Sequence, residues 1–250
     1  MMRKGWIVAG VLCLAGAANA VVLFEDGFES GDFSKWDTTL NASGPIGQQI
    51  VTDIVKSGTY AAKLIGVSSG SPTRLGKVLS YEDPNATFRL SFWMYDDKGT
   101  SLGGGRHYLE LRSYSGEGFV GTLQNLWAIG KYNTVTSGSY NGRKYQARVA
   151  YSGVGWINLS DAPDRSVGWH LMEMEITPSL ARFYVDGVLG AEVPRGAAGI
   201  VDSLVLDSGL SSSGIDLWVD DIQVTAVPEP ATLLALGTGA GALLLRRRRR

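Results

Sequence analysis

The chain is poor in the side chains that most often carry catalysis or cross-links. Of 250 residues one is cysteine, two are histidine and eight are proline, and only 19% are charged. The cysteine, Cys13, lies in the apolar N-terminal segment, so a body without that segment has no thiol for disulfide or redox chemistry. Two histidines supply few ligands for zinc, and Ser–His–Asp catalysis has equally little support. Neither a phosphate loop nor a dinucleotide fingerprint is present. Gly103-Gly104-Gly105 is a bare glycine turn without the Lys-Ser/Thr that a phosphate loop requires. Helical periodicity is absent, and no apolar run reaches the roughly 20 residues of a comfortable membrane span.

The two ends have their own composition. At the N-terminus Arg3 and Lys4 precede the apolar residues 6–17, and Ala18-Asn19-Ala20 forms a small-x-small cleavage site before Val21. This is the layout of a secretory signal helix over 1–20. Gly10-Val11-Leu12 before Cys13 does not fit a lipoprotein box. At the C-terminus Pro228-Glu229-Pro230 is followed by an uncharged apolar stretch, 231–245, and then by Arg246 to Arg250. Fifteen residues are short for a transmembrane helix, but flanking arginines snorkel and stay on the cytoplasmic side. The triplet, apolar helix and basic end in this order resemble the PEP-CTERM sorting signal of Gram-negative bacteria. That resemblance implies an exosortase-type membrane protease or transpeptidase as partner. It also implies export, transient anchoring in the inner membrane as a precursor, and delivery to the cell surface or extracellular matrix.

Two of the 23 basic residues precede Val21 and five follow Val227, whereas only one of the 24 acidic residues, Glu229, lies in either end. The body over 21–227 is therefore near −7, which argues against a nucleic-acid partner and is compatible with bound divalent cations. Its size suits one all-β domain. Glycine is abundant, at 33 residues, and short alternating runs recur between Gly, Ser, Asp and Asn clusters. The spacing predicts strands over 88–95, 107–114, 123–129, 145–151, 169–177, 181–185, 203–206 and 217–225. In the clearest, Phe88, Leu90, Phe92 and Met94 form a core face while Arg89, Ser91, Trp93 and Tyr95 point outward. In 107–114, Leu109 and Leu111 face one way and Tyr108, Glu110, Arg112 and Tyr114 the other.

Gly168-Trp169-His170, followed by Tyr184-Val185-Asp186-Gly187, resembles the laminin-G-like and concanavalin A-like jelly rolls. Asp186-Gly187 suits a type I′ hairpin turn. The opening 24–36 and 55–64 resemble the start of carbohydrate-binding and polysaccharide-lyase jelly rolls, and Trp218-Val219-Asp220-Asp221-Ile222 closes the same pattern. The expected fold is an all-β jelly-roll β-sandwich. The resemblance implies a structural calcium site shared by first and last strands, at Glu29 and at Asp220 or Asp221. Alternation sends the two aspartates to opposite faces, leaving one of them as a ligand.

Arg89, Trp93, Tyr95, Tyr108, Glu110 and Arg112 form a candidate glycan-binding set if both strands line one concave sheet. Aromatic rings then stack on pyranose faces while Arg and Glu bond hydroxyls or carboxylates. Catalytic signatures are thin. Glu173-Met174-Glu175 lacks the third acid of a retaining-glycosidase strand, and reads as a solvent face. Tyr108-Leu109-Glu110-Leu111-Arg112 resembles the alginate-lyase Arg-x-Glu-Leu-Arg without its first arginine, and no Gln-Ile-His is present. His170, on the face of Met172 and Met174, reads as a packed structural histidine. The expected function is therefore non-catalytic binding of exopolysaccharide. A polysaccharide lyase or glycoside hydrolase using the same groove, and a purely structural matrix protein, are the alternatives.

Overall fold

The fold is given by a computed structural model that describes residues 19–40, 44, 46–66, 73–101, 105–116, 118–136, 138–150, 153–196, 199–207 and 216–228. The expected signal helix and C-terminal transmembrane helix, Cys13, the Gly103-Gly104 pair and most of the sorting motif lie outside these residues. Among the described residues no helix is long and apolar enough to cross a membrane.

The strands in chain order are β1 (Val21–Asp26), β2 (Thr38–Leu40), β3 (Gln48–Val51), β4 (Ala61–Leu64), β5 (Arg74–Val78), β6 (Thr87–Asp96), β7 (His107–Tyr114), β8 (Leu123–Lys131), β9 (Gln146–Val149), β10 (Gly155–Asn158), β11 (Gly168–Ile176), β12 (Leu180–Val185), β13 (Val188–Pro194), β14 (Ser203–Leu206) and β15 (Leu217–Val227). They form two antiparallel sheets. The first has the order β13-β12-β11-β6-β15-β4-β3, with β1 also paired to β15, and the second β10-β9-β8-β7-β14-β5-β2. All eight expected strands are present, 107–114 and 203–206 with the expected bounds. The expected strands do not include β1 to β5, β10 or β13; several of these offer little alternation, β2 having three residues and β3 opening with two glutamines. The last strand continues past 225 to Val227.

The core lies between the sheets. Phe88, Leu90, Phe92 and Met94 of β6 and Met172, Met174 and Ile176 of β11 are at most 1% exposed. They join one cluster with Leu109, Leu111, Trp127, Ile129 and Leu204 from the second sheet. Losing a ring such as that of Phe92 costs about 3–5 kcal/mol. The Trp127 indole is satisfied, donating Nε1 to the Arg195 carbonyl at 2.7 Å.

Charge is also buried at one end of the core. Asp96 accepts Arg165 Nε at 2.9 Å, Lys131 Nζ at 3.4 Å and the Tyr145 hydroxyl at 3.3 Å. Burial pushes the Asp96 carboxyl up, but the two cations outweigh it and hold it below its usual value. Burial pulls the Lys131 ammonium down to about 8, against the attraction of Asp96.

The motif that suggested the jelly roll has a mechanical role. Asp186 and Gly187 both have positive φ, 52° and 76°, as a type I′ turn between β12 and β13 requires. Asp186 Oδ1 accepts the Leu171 amide at 2.8 Å and Oδ2 meets His170 Nδ1 at 2.7 Å. His170 is 8% exposed and packs 5.6 Å from Tyr145. It ties the hairpin tip to β11.

Candidate functional site

The six candidate glycan residues do not share a surface. Arg89, Trp93 and Tyr95 stand on β6 in the first sheet, whereas Tyr108, Glu110 and Arg112 stand on β7 in the second. Each trio points away from the common core, so the two lie on opposite sides of the sandwich. The alternation within each strand is as expected; the sheet assignment is what differs.

The β7 trio is closed. Tyr108, Glu110 and Arg112 are 8%, 2% and 7% exposed. Arg112 Nε donates to Glu110 Oε2 at 2.5 Å and its Nη1 to the Tyr114 hydroxyl at 2.8 Å. Tyr108 packs edge-on against Trp156 at 5.0 Å, and Trp156 stacks on Tyr132 at 3.9 Å. Beside them Asp207, which follows β14, accepts Arg74 Nε at 2.6 Å through Oδ1. Burial and the Glu110 charge push the Asp207 carboxyl up to about 7 despite Arg74. Burial, then the charges of Asp207 and Glu110, push the Tyr108 phenol well above its usual value. Nothing local in the sequence marks Asp207 or Arg74 as members of this cluster; β5 and β14 bring them there.

The outer face of the first sheet is open and arranged in cross-strand rows. One row is a charge ladder: Arg89 bonds Glu175 at 2.7 Å, Arg182 bonds Glu175 at 2.8 Å, and Arg182 bonds Glu192 at 2.6 Å. Burial raises the Glu175 carboxyl, but the hydrogen bonds from Arg182 and Arg89 outweigh it and hold it below the usual range. Two residues along the strands, Tyr184, Glu173, Ser91, Gln223 and Glu25 are register partners across β12, β11, β6, β15 and β1. Next come Leu171, Trp93 and Asp220, with the Lys56 ammonium 3.7 Å over the Trp93 ring. The last row is aromatic: Tyr95 meets Trp169 at 5.5 Å and Trp218 at 5.8 Å, both edge to face. A groove of about 510 Å³ runs along this face, lined by Arg89, Ser91, Glu173, Glu175, Tyr184, Gln223 and Thr225 among others. Alternation alone marks Ser91 and Glu173 as outward; the groove they floor comes from the pairing of five strands.

Glu29, Asp220 and Asp221 gather around one loop. Glu29 accepts the Thr59 and Tyr60 amides, at 2.9 and 3.0 Å through Oε1. Asp220 Oδ2 accepts the Lys56 and Ser57 amides, and Asp221 Oδ1 accepts the Ser57 hydroxyl at 2.8 Å. The two aspartates do not diverge as strict alternation requires, because β15 bulges there and Asp221 adopts φ 47°. Gly58, at φ 64°, is required where it stands: a Cβ would lie 2.4 Å from a Glu29 carboxylate oxygen. Among the described residues no three acidic or histidine side chains come together as a metal-binding group. The three carboxylates are engaged by amides and a hydroxyl instead, and as placed they do not fit the six to eight convergent oxygens of calcium.

A Ser–His–Asp alignment occurs that the sequence does not suggest. His170 Nε2 lies 3.1 Å from Ser166 Oγ while Nδ1 contacts Asp186. Nε2 is also 3.0 Å from the Ser166 carbonyl oxygen. Held at both ring nitrogens, by Ser166 on one side and Asp186 on the other, the imidazole serves as a tie between the two segments.

The profile of the "PEP-CTERM protein-sorting motif" matches residues 226–250. The chain carries a PEP-CTERM sorting motif. It is thus an exported, exosortase-sorted cell-surface protein. The PEP-CTERM match begins inside β15, so the final strand of the sandwich runs directly into the motif. No curated protein matches the chain significantly. Among solved structures, "Cellulose induced protein, Cip1" is similar with a TM-score of 0.53 and 15% identity, over 80% of this chain and 96% of that one. A carbohydrate esterase of the Shiga toxin-encoding bacteriophage phi24B is similar with a TM-score of 0.58 and 12% identity, over 84% of this chain and all of that one. At such identities the likeness shows the fold, a concanavalin A-like sandwich.

Proposed function

We propose that this exosortase-sorted protein is a non-catalytic glycan-binding domain that engages exopolysaccharide through the outer face of its first sheet. The observation that carries this reading is the open groove walled by Tyr184 and floored by the hydrogen-bonding side chains of Ser91, Glu173 and Gln223, with Trp93 one row further along β6. Sugar recognition combines such groups with aromatic walls. The names of two similar structures, a cellulose-induced protein and a carbohydrate esterase, are in keeping with polysaccharide as the ligand. The precursor is held in the inner membrane by its apolar tail and then delivered to the surface or matrix.

The non-catalytic reading is supported by the state of the candidate catalytic groups. Glu175 is locked ionised between two arginines, which unsuits it as a general acid. Tyr108, one of the residues of a type that could serve a lyase as base, has its phenol pushed well above its usual value by burial and by the Asp207 and Glu110 charges. The test is incubation of the full chain in detergent with neutral and acidic polysaccharides. Retention without new reducing ends or ultraviolet-absorbing unsaturated ends supports the reading. New ends of either kind would establish a hydrolase or lyase, and no retention on any polymer would leave a structural matrix role. Trp93→Ala is expected to weaken retention without altering the melting temperature.

A further inference from the structure

The chemistry of the groove selects among glycans. The row Tyr184–Glu173–Ser91–Gln223–Glu25 crosses five strands, about 19 Å at the usual strand spacing. That is long enough for an oligosaccharide segment rather than a single ring. Among the described residues the side chains of Glu173, Ser91, Gln223 and Tyr184 make no hydrogen bond or ion pair with the protein, so their donors and acceptors are available to a ligand. The two arginines beside them are committed: Arg89 to Glu175, and Arg182 to Glu175 and Glu192. The charge left uncompensated in the groove is therefore negative, from Glu173, while Glu25 at the end of the row lines the adjoining cleft with Lys35.

Resting on the glycan-binding reading above, we infer that the groove takes a polysaccharide without acidic groups and rejects polyuronates. A carboxylate accepts hydrogen bonds and cannot donate them, so Glu173 suits hydroxyl donors. A uronate carboxylate placed in the same row meets like charge, and no free guanidinium answers it. Ser91 and Gln223, small and adaptable, supply the neutral contacts between the acidic positions. The acidic body of the protein acts in the same direction on approach.

The test is affinity electrophoresis of the full chain in detergent through gels containing dextran, mixed-linkage glucan or xylan, against gels containing alginate or polygalacturonate. Retardation by at least one neutral polymer and by neither polyuronate is expected. Ser91→Trp, which fills the groove, should weaken retardation at least tenfold, and Glu173→Gln about tenfold, both with unchanged melting temperature. Retardation by alginate equal to or stronger than by the neutral polymers overturns the inference and leaves glycan binding standing. Retardation by a neutral polymer that survives both substitutions overturns the assignment to this groove, again leaving glycan binding intact. Retardation by no polymer overturns both.

Discussion

The outer faces of the two sheets are built by the same alternation yet do different things. On the first sheet Arg89 and Glu175 pair at a half-open surface, and the next row is left unpaired. On the second, Glu110, Arg112 and Asp207 are buried, each held by a partner from the same face. The difference teaches that an outward side chain is not an available one. Polar groups on the closed face are tied to one another, whereas on the open face the Arg89–Glu175–Arg182–Glu192 ladder is paired and the neighbouring row through Glu173, Ser91 and Gln223 is not.

The largest effect that sharpens this comparison is expected from Arg112→Ala, which leaves Glu110 buried and unpaired. Its cost is about 3–5 kcal/mol, measured by urea unfolding of the full chain. The matching cut on the open face, Arg89→Ala, should cost no more than about 1 kcal/mol, because exposed pairs are solvated and screened. Equal costs would erase the distinction between the faces.

The closed face should also impose a pH dependence. The folded Asp207 carboxyl titrates near 7, above the ordinary value of 3.8, so the folded state holds a proton that the unfolded state releases. Its contribution is full below about pH 4 and is lost as pH rises towards 7, a change on the order of a few kcal/mol. Asp207→Asn should flatten that part of the stability curve, as read by urea unfolding across this pH range.

The smallest effect is expected at the loop held by Glu29, Asp220 and Asp221. Chelation of divalent ions should leave the melting temperature unchanged, since amides and a hydroxyl engage those carboxylates. A fall of several degrees on chelation would instead show that the loop rearranges around a cation.

Much of the fold was legible, and the reasons are local. Phe88-x-Leu90-x-Phe92-x-Met94 announces a buried strand by its period, and Asp186-Gly187 announces its turn by the φ values it tolerates. The candidate site was legible only in part. Whether β6 and β7 share a sheet depends on their partners, β11 and β15 for one and β8 and β14 for the other, which lie far away in sequence. The same remoteness hid Arg74 and Asp207, and made Glu173 look like one more solvated glutamate. At Asp220-Asp221 a bulge broke the alternation on which the separation of the two aspartates rested.

The claim that the open face is the ligand face is tested most directly by hydroxyl-radical footprinting of the full chain with and without a retained polysaccharide. Protection is predicted at Tyr184, Trp93 and Trp169 of the first sheet. Protection confined to Tyr108, Tyr132 and Trp156 would place the ligand on the second sheet and contradict the account.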